Sequence, residues 1–478
     1  MPPSTPDEVE NVLFVMTDQQ RVDSLGCYGN DTVETPNVDG IAERGARFDR
    51  AYTPAAICGP ARAALVSGVR PHRNGVLRNV EESEGPPLSE RFPCYPQLLG
   101  DAGWNAGLAG KWHVGEHPRE FGLDGAHYPG WHQTLDHPDY NAYLDERGLP
   151  RFDGDALEDV FPGEGERYQE GATDPRPVEA SFPYFVAERA IEQLEAYAED
   201  DSPFYESVHF FGPHNPYYLP REYRHMYDPD DVELPESAVK ETFQGKPAAH
   251  LAQRHFSNLE SLAVADWRRY IATYWGFVSL IDDQLGRLVG ALDELGVREE
   301  TAVVFTSDHG AFLTAHKLHD KGPAMYEDIY NVPLVAEGLG VGGAREEFVS
   351  LLDLPPTVLD WAGADVPDTY DGRSLLELPG EWREDITAEF HGHFFPIEQR
   401  MLRTDRYKLV YNERDRWELY DLAEDPHELE NRIDDPAYGE VAARMYLRLE
   451  DRLDEFGDDA LAPDERKLTN VEDVWDPE

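Results

Sequence analysis

Two short apolar runs, far apart in the chain, constrain the fold of this protein more than any other feature of the sequence. Asn11–Met16 and Ala302–Thr306 are almost wholly apolar and have no helical spacing, which is typical of strands buried on both faces of a parallel sheet. Polar residues follow each run, Thr17-Asp18 after the first and Ser307-Asp308-His309 after the second. Ligands of open α/β sheets gather at the carboxyl ends of strands, so these polar residues are candidates for a functional site.

Amphipathic helices and further apolar strands alternate along the chain up to about residue 365. Helical spacing is clear in Phe185–Glu199 and from Ile271 to Leu295, where Gly296 is a typical helix end. The alternation predicts an α/β fold, a sheet flanked by helices. The other predicted elements of this part are helices at Pro96–Ala102, Met325–Tyr330 and Leu351–Ala362 and strands at Trp104–Leu108, Phe204–Phe211 and Val332–Ala336.

The pattern differs after about residue 365, where strands of antiparallel type precede a final helix. We therefore predict a catalytic domain at residues 1–365 and a smaller C-terminal subdomain at residues 366–478. The predicted elements of the subdomain are strands at Ile386–Phe390, Arg400–Leu402, Tyr407–Tyr411 and Trp417–Tyr420 and a helix at Val441–Phe456.

Two long stretches show no periodicity. Glu116–Asp174 mixes proline, glycine, histidine and acidic residues, and residues from about Asp228 to Leu262 are acidic and equally irregular. We interpret both as irregular surface insertions of the kind that shape substrate pockets.

The stretch Ile57–Gly68 predicts a turn followed by a short helix with Cys58 at its N-terminus. Pro60 suits the first turn, the alanine-rich run favours a helix, and Gly68 suits a left-handed end. The backbone N–H groups and the helix dipole favour a thiolate or another anion at Cys58, and Arg62 adds a positive charge about one turn on. A lone cysteine in this place is equally consistent with a buried small apolar residue, so other motifs decide.

Scarce lysines lie beside histidines at several points after predicted strands. The chain has seven lysines, of which Lys111 precedes Trp112-His113 and Lys321 follows His319-Asp320. His214 comes just beyond the predicted strand Phe204–Phe211. Asp18, Asp308 and His309 offer the oxygen and nitrogen ligands that hard divalent ions such as Ca²⁺, Mg²⁺ or Mn²⁺ take, and Gln19 could add a carbonyl oxygen.

Most of the candidate residues lie in six short motifs: Thr17-Asp18-Gln19-Gln20, Cys58-Gly59-Pro60-Ala61-Arg62, Gly110-Lys111-Trp112-His113, Pro213-His214-Asn215-Pro216-Tyr217, Ser307-Asp308-His309-Gly310 and Lys321-Gly322-Pro323-Ala324-Met325-Tyr326-Glu327. These motifs occur in the order in which type I sulfatases carry them, and the sequence resembles that family over nearly its whole length. The C-terminal stretches Arg403–Leu409 and Glu418–Pro426 also resemble the family's second lobe.

The resemblance implies a fold like that of alkaline phosphatase. Such a fold has a large mixed, mostly parallel sheet flanked by helices and a smaller C-terminal subdomain with an antiparallel sheet. The resemblance also implies that a formylglycine-generating enzyme converts Cys58 to formylglycine (3-oxoalanine), whose hydrate is the nucleophile. Ala61 stands where the family usually has serine, whereas the cysteine, proline and arginine of the motif are kept.

The resemblance further implies roles for the residues of these motifs. One divalent ion, with Ca²⁺ favoured over Mg²⁺ and Mn²⁺, is held by Asp18, Gln19, Asp308, His309 and an oxygen of the modified Cys58. Arg62 anchors the hydrate, Lys111 and Lys321 clamp sulfate oxygens, His214 or Lys321 protonates the leaving alcohol, and His113 takes the proton whose loss expels sulfate. His316 and His319 are interpreted as pocket or structural residues.

Two other functions stay open at this point. Many sulfatases carry a second aspartate at the place of Gln19 and an asparagine at that of His309, whereas the Gln/His combination resembles branches that include phosphonate monoester hydrolases. A phosphonate monoester hydrolase or phosphodiesterase on the same scaffold is therefore one alternative. The second is a non-catalytic anion- or glycan-binding protein in which Cys58 stays unmodified.

The charge of the chain narrows its partners and its setting. There are 95 acidic residues against 42 lysines and arginines, a net charge of −53 that disfavours nucleic acid as a partner and is typical of adaptation to high salt. The start lacks a signal peptide and no apolar run could span a bilayer, so we expect a cytoplasmic protein without a membrane partner. The expected substrate is a small-molecule or saccharide sulfate ester, and the sequence leaves the alcohol and the oligomeric state open.

Overall fold

The computed structural model describes residues 9–79, 86–128, 135–161, 171–200 and 202–461. Its strands are β1 (Asn11–Thr17), β2 (Ala46–Phe48), β3 (Ala51–Tyr52), β4 (Asn105–Lys111), β5 (Asp124–Tyr128), β6 (Glu158–Phe161), β7 (Gly171–Asp174), β8 (Phe204–His209), β9 (Tyr217–Pro220), β10 (Thr301–Ser307), β11 (Leu334–Ala336), β12 (Gly343–Arg345), β13 (Val349–Ser350), β14 (Asp385–Phe390), β15 (Gln399–Thr404), β16 (Tyr407–Asn412) and β17 (Glu418–Asp421). Its α-helices are Pro36–Arg44, Cys58–Ser67, Pro71–Asn74, Leu88–Arg91, Tyr95–Asp101, Pro138–Arg147, Phe182–Asp200, Arg221–Arg224, Glu236–Lys240, Ala248–Ser257, Val264–Leu295, Glu327–Tyr330, Leu354–Trp361 and Gly439–Phe456.

An eight-stranded sheet forms the centre of the molecule. Its strand order is β12-β2-β11-β10-β1-β8-β4-β5. Neighbouring strands are parallel except where β11 pairs with β10 and with β2. The predicted large, mixed and mostly parallel sheet is therefore confirmed.

The side chains of β1 show why its sequence is an unbroken apolar run. Leu13 and Val15 pack into a core on one face of the sheet, whereas Phe14 and Met16 pack into a core on the other face. The first core includes apolar residues of the helices Phe182–Asp200 and Val264–Leu295, and the second includes those of Cys58–Ser67 and Leu354–Trp361. Burial on both faces excludes the polar alternation of a half-exposed strand.

A separate antiparallel sheet follows near the C-terminus, as predicted. Its order is β14-β15-β16-β17, and the helix Gly439–Phe456 packs on it through residues such as Met445 and Leu449. The backbone N–H of Glu389 in β14 donates to the Pro54 carbonyl over 2.8 Å, which joins this sheet to the segment before Cys58. The domain boundary near residue 365 stays a prediction, and residues 462–478 lie outside the described part of the chain.

The prediction that the two insertions are irregular is wrong. The first contains β5, at the edge of the large sheet, and the helix Pro138–Arg147, and it supplies β6 and β7 to a small sheet of order β6-β7-β9. The second contains the helices Glu236–Lys240 and Ala248–Ser257. These elements are mostly short and rich in polar residues, so they carry too few apolar positions to show a period.

Some predicted boundaries also differ. The strand predicted at Trp104–Leu108 is β4, which runs on to Lys111, and the helix predicted from Met325 begins at Glu327. None of the helices in the described ranges is both long enough and apolar enough to cross a bilayer.

Candidate active site and metal centre

Asp18 and Asp308 lie next to each other at the carboxyl ends of two adjacent strands. In the parallel pair β1 and β10, Thr17 is opposite Ser307, and each aspartate is the next residue. The backbone N–H of Asp308 extends the pairing by donating to the Thr17 carbonyl over 3.1 Å. Both aspartates are fully buried. The sheet therefore brings these two distant segments together, as predicted.

Cys58 reaches the same place from a helix. It is the first residue of Cys58–Ser67, which ends at Gly68 with a φ of 66°. Its Sγ atom lies 3.3 Å from His309 Nε2 and 3.7 Å from Asp18 Oδ1, and the residue is 1% exposed. Burial and Asp18 oppose ionisation of the thiol, but positive charges led by that of Lys111 hold the pKa of Cys58 well below its ordinary value.

Four side chains converge here with atoms that can bind a metal. One ligand atom each of Asp18, Cys58, Asp308 and His309 lies within 4.8 Å of the others, and all four residues are buried. Despite burial, Asp308 and Cys58 raise the pKa of His309 to about 9. Two carboxylates and an imidazole whose ligand atoms lie this close together are donors that a divalent cation takes. The residues present therefore fit a divalent ion.

Gln19 contacts its neighbours in a different way from these four residues. Its side-chain N–H donates to Asp320 Oδ1 over 2.5 Å, and its backbone N–H donates to Asp308 Oδ1 over 3.4 Å. The backbone carbonyl of Gln19 accepts a hydrogen bond from the Tyr274 hydroxyl over 2.7 Å. Gln19 thus supports the segment after β1, and its role as a metal ligand stays a prediction.

Two buried cations compensate the aspartates. Arg62 donates through Nε to Asp308 Oδ2 over 2.8 Å and through Nη1 to the Lys111 carbonyl over 2.9 Å. Lys111 forms an ion pair with Asp18 through Nζ. Burial alone would raise the pKa of Asp18, but charges led by that of Lys111 hold it well below its usual value. Burial and the charge of Asp18 raise the pKa of Asp308.

Lys321 and His214 form a second polar pair. Lys321 Nζ lies 3.1 Å from Asp320 Oδ1 and 3.3 Å from His214 Nε2. Because Nδ1–H of His214 donates to the Asn215 carbonyl over 2.5 Å, Nε2 is the atom that accepts from the lysine. Burial and the charge of Lys321 lower the pKa of His214 to about 4. His214 is therefore neutral near pH 7, and the lysine carries the proton of this pair.

Comparison with known families agrees with this geometry. A model of the sulfatase family matches residues 10–364, and a model of the C-terminal region of N-sulphoglucosamine sulphohydrolase matches residues 314–455. An uncharacterized sulfatase of Escherichia coli is 33% identical over 461 residues, which cover 94% of this chain and 88% of that protein. The chain belongs to the sulfatase family.

The family assignment makes this protein a type I sulfatase of the alkaline phosphatase superfamily and a sulfuric ester hydrolase. An N-acetylglucosamine-6-O-sulfatase of Bacteroides thetaiotaomicron is 27% identical, with 96% of this chain and 88% of that protein covered. The crystal structure of a phosphonate monoester hydrolase of Agrobacterium radiobacter is similar with a TM-score of 0.77 at 26% identity, covering 92% of this chain and 95% of that one. This likeness confirms the predicted fold class.

His113 is the predicted site residue for which the contacts give least support. It follows the end of β4, is half-buried, and has a left-handed backbone with a φ of 61°. Its Nδ1 atom is buried without a hydrogen-bond partner in the described part of the chain. The role of His113 in this sulfatase stays a prediction.

Three residues of this region were missed from the sequence. Asp320 accepts from both Gln19 and Lys321, and His209 lies with Nδ1 3.3 Å from Arg62 Nη1. His393 follows β14, and burial together with the charge of Lys321 lowers its pKa to about 4. Asp320 could have been found from its place beside Lys321, whereas nothing in the sequence signals His393.

His316 and His319 lie in different surroundings. The ring of His316 stacks on Tyr326 at a centroid distance of 3.6 Å and contacts Glu241 Oε2 over 2.7 Å. His319 lies with Nε2 3.1 Å from Asn215 Nδ2 and Nδ1 2.7 Å from the Tyr270 hydroxyl. Hydrogen bonds thus support a structural contribution for both histidines.

His72, Glu389 and Asp458 form another group with metal-binding atoms close together. Glu389 lies 2.8 Å from His72 Nδ1 and 2.8 Å from His391 Nε2. Asp458 Oδ2 accepts from Arg400 Nε over 2.5 Å. Partners within the protein already compensate these carboxylates, so the group is a buried ion-pair network.

Proposed function

We propose that this sulfatase hydrolyses a sulfate ester of a saccharide, using one divalent metal ion and a formylglycine made from Cys58. The observation that carries the proposal is the position of Cys58 Sγ, 3.3 Å from His309 Nε2 and 3.7 Å from Asp18 Oδ1. The residue that the family motif marks for modification thus lies among the metal-binding atoms. The name of the N-acetylglucosamine-6-O-sulfatase relative supports a saccharide as the alcohol.

Asp18, Asp308, His309 and an oxygen of the modified Cys58 would hold the ion, with Gln19 as a further predicted ligand. Ca²⁺ is favoured for a site of carboxylate oxygens, with Mg²⁺ or Mn²⁺ as alternatives. When bound, the ion would polarise the sulfate group and lower the pKa of the attacking hydroxyl of the formylglycine hydrate. The modification requires a formylglycine-generating enzyme as a partner.

The buried cations of the site suit a group that becomes more negative during the reaction. The ammonium groups of Lys111 and Lys321 would hold sulfate oxygens, and Arg62 would anchor the hydrate. Arg62 is already oriented by Asp308, and Lys111 by Asp18. Side chains held in place before the substrate binds need no reorganisation when charge develops.

The contacts of Lys321 favour it over His214 as the acid that protonates the leaving alcohol. His214 accepts at Nε2, 3.3 Å from Lys321 Nζ, and its Nδ1–H is directed to the Asn215 carbonyl. His214 therefore orients the lysine, whose ammonium supplies the proton. His113 would accept the proton whose loss releases sulfate.

A phosphonate monoester or a phosphodiester is the second candidate substrate of this site. The observation that favours it is the likeness to the phosphonate monoester hydrolase of Agrobacterium radiobacter at a TM-score of 0.77. Gln19 and His309 are also the residue types of the branches that include such hydrolases. Sulfuryl and phosphoryl groups take similar contacts from a metal ion and cationic side chains.

Mass spectrometry of the peptide that contains Cys58, combined with assays, tests the proposal. Protein co-expressed with a formylglycine-generating enzyme is expected to carry the aldehyde and to hydrolyse glucosamine 6-sulfate faster than a phenylphosphonate monoester. Cys58→Ala serves as the control and is expected to be inactive. An intact thiol in fully active protein would overturn the formylglycine proposal, and a faster phosphonate reaction would favour the second candidate.

A further inference from the structure

Three phenylalanines from two separate parts of the chain meet in one cluster, here called the Phe platform: Phe256, Phe394 and Phe395. The rings of Phe256 and Phe394 are stacked, with centroids 5.4 Å apart and planes at 26°. Phe395 contacts Phe256 edge-on at 6.0 Å. Phe394 is 71% exposed, whereas Phe256 and Phe395 are half-buried.

The helix Ala248–Ser257, which carries Phe256, is joined to the segment of Lys321. Gln253 Nε2 donates to the carbonyl oxygens of His319 and Lys321 over 3.1 and 3.0 Å. Ser257 Oγ accepts from the backbone N–H of His319 over 3.0 Å. A Cβ atom at Gly322 would lie 2.5 Å from Gln253 Oε1, so the two segments pack without space between them. The helix that carries Phe256 is thereby packed directly against the segment that carries Lys321.

The other half of the platform follows β14, which lies against the segment before Cys58. Besides the bond from Glu389 N–H to the Pro54 carbonyl, Phe390 shares a core with Ile57. The chain continues to His393, whose ring centroid is 4.1 Å from that of Phe394. The lowering of the pKa of His393 by Lys321 also indicates that this segment lies close to the site.

An exposed phenylalanine in this position is unusual for this protein. Six large apolar side chains are exposed among the residues that the structure describes. Phe394 is the most exposed of the six, and the other five are aliphatic. Its backbone is left-handed, with a φ of 62°, a conformation that carries strain for a bulky residue. An exposed, strained aromatic residue beside a charged site is typical of a surface that binds a ligand.

We propose that the Phe platform stacks against the apolar face of the pyranose ring of the substrate, while the sulfate group lies among the cationic side chains. This inference rests on the proposed function, because it names what holds the alcohol of that ester. The C–H groups on one face of a pyranose are the surface that an aromatic ring contacts. Phe394 is thus assigned as a specificity-determining residue contributed by the C-terminal part of the chain.

The test compares Phe394→Ala with the natural protein on a ring ester, glucosamine 6-sulfate, and an open-chain ester, choline O-sulfate. We expect KM for glucosamine 6-sulfate to rise about tenfold with kcat little changed, because the sugar ring loses the surface against which it stacks; tenfold corresponds to about 1.4 kcal/mol. Choline O-sulfate is expected to be unaffected. Phe394→Trp keeps a ring and should restore KM, and Leu447→Ala, which truncates another exposed apolar residue, should change nothing.

A binding measurement separates the Phe platform from the proposed function. Ligand-detected NMR monitors the binding of glucosamine 6-sulfate to protein in which Cys58 is unmodified. Loss of sugar binding in Phe394→Ala would support the platform even if neither ester were hydrolysed, in which case the proposed function alone fails. The platform is overturned if the natural protein does not bind the sugar, if Phe394→Ala binds it as well, or if both esters are affected equally. If Phe394→Ala lowered the activity on 4-nitrophenyl sulfate but not on glucosamine 6-sulfate, the assignment of a pyranose would be overturned.

Discussion

Lys408 Nζ and Glu327 Oε1 form an ion pair of 2.9 Å that joins the C-terminal sheet to the segment after Lys321. Lys408 lies on β16 with a fully buried side chain, and Glu327 begins the helix Glu327–Tyr330. Glu428 contributes a second carboxylate, 2.5 Å from the same nitrogen. Glu327 and Lys408 belong to motifs far apart in the sequence, and Glu327 supplies a negative charge that compensates the buried ammonium of Lys408.

Replacing Lys408 by methionine is expected to destabilise the protein by about 3–5 kcal/mol, because two carboxylates would be left buried without their shared partner. Denaturant-induced unfolding measures the change. Lys240→Met is the matched control, since Lys240 pairs with Glu236 at 2.6 Å between two exposed side chains, and its loss should change the free energy of unfolding far less. Equal effects of the two variants would contradict the assignment of a buried pair.

The stability of the protein should depend on pH through Glu389 and the two histidines that contact it, His72 and His391. Despite burial, hydrogen bonds from His391 and His72 lower the pKa of Glu389, and hydrogen bonds to Glu389 raise the pKa of each histidine. The carboxylate stabilises the fold above its ordinary pKa of 4.5 and loses that contribution as the pH falls. The histidines stabilise it below their ordinary pKa of 6.5 and lose that contribution as the pH rises through their raised values.

The difference in unfolding free energy between the natural protein and Glu389→Gln is therefore expected to be largest between about pH 4.5 and 6.5. It should decline on both the acidic and the alkaline side. A difference that does not vary with pH would show that Glu389 does not titrate together with its two neighbours.

Lys321→Ala should affect poor leaving groups far more than good ones. A proton donor raises the rate about 10²–10⁴-fold when the departing oxygen needs protonation, as in a sugar ester. It raises the rate little when the leaving group is 4-nitrophenolate. Values of kcat/KM for the two esters measure this. His214→Ala is expected to reduce the sugar reaction less, because His214 accepts from the lysine. A larger loss in His214→Ala would reverse the two roles.

Removal of divalent ions should abolish activity and lower thermal stability. Asp18 and Asp308 are both fully buried. At a free ion concentration of about one hundred times the dissociation constant, an ion bound to them would add about 2.7 kcal/mol to the free energy of unfolding. Melting curves with chelator and with added Ca²⁺, Mg²⁺ or Mn²⁺ measure the effect. Asp308→Asn should lose the response, whereas Glu389→Gln, in the other ligand-like group, should keep it.

Salt should stabilise this protein. With a net charge of −53, self-repulsion in the folded state is large at low ionic strength, and the screening length falls from about 10 Å at 0.1 M to about 3 Å at 1 M. We expect the melting temperature to rise between these concentrations of KCl. A melting temperature insensitive to KCl would contradict adaptation to high salt.

The strands that end just before Asp18 and Asp308 could be predicted because burial on both faces requires an unbroken apolar run. The order of the strands could not be predicted. Lys111 contacts Asp18 because β8 alone separates β4 from β1, a neighbourhood that depends on how the whole chain closes. The family resemblance supplied the candidate residues, and the sheet supplied their contacts.

The insertions and the C-terminal contribution to the site were outside the reach of pattern analysis. The strand Gly171–Asp174 is stabilised by its parallel partner Tyr217–Pro220, so its own four residues carry no signal. His393 and Phe394 follow β14, which is joined by Glu389 to Pro54 in the segment before Cys58. Such long-range contacts, and not local propensity, decide where these residues lie.

The near-complete burial of Cys58 has a consequence for the order of events during synthesis. In the folded protein the whole helix that carries it is buried, and β10, whose end lies beside Cys58, is synthesised long after Cys58. An enzyme that modifies the side chain of Cys58 needs access to it, and the folded protein leaves it only 1% exposed. Under the proposed function, the aldehyde would therefore have to be installed on the growing or newly released chain, and the pace of folding would decide what fraction of molecules ever becomes active.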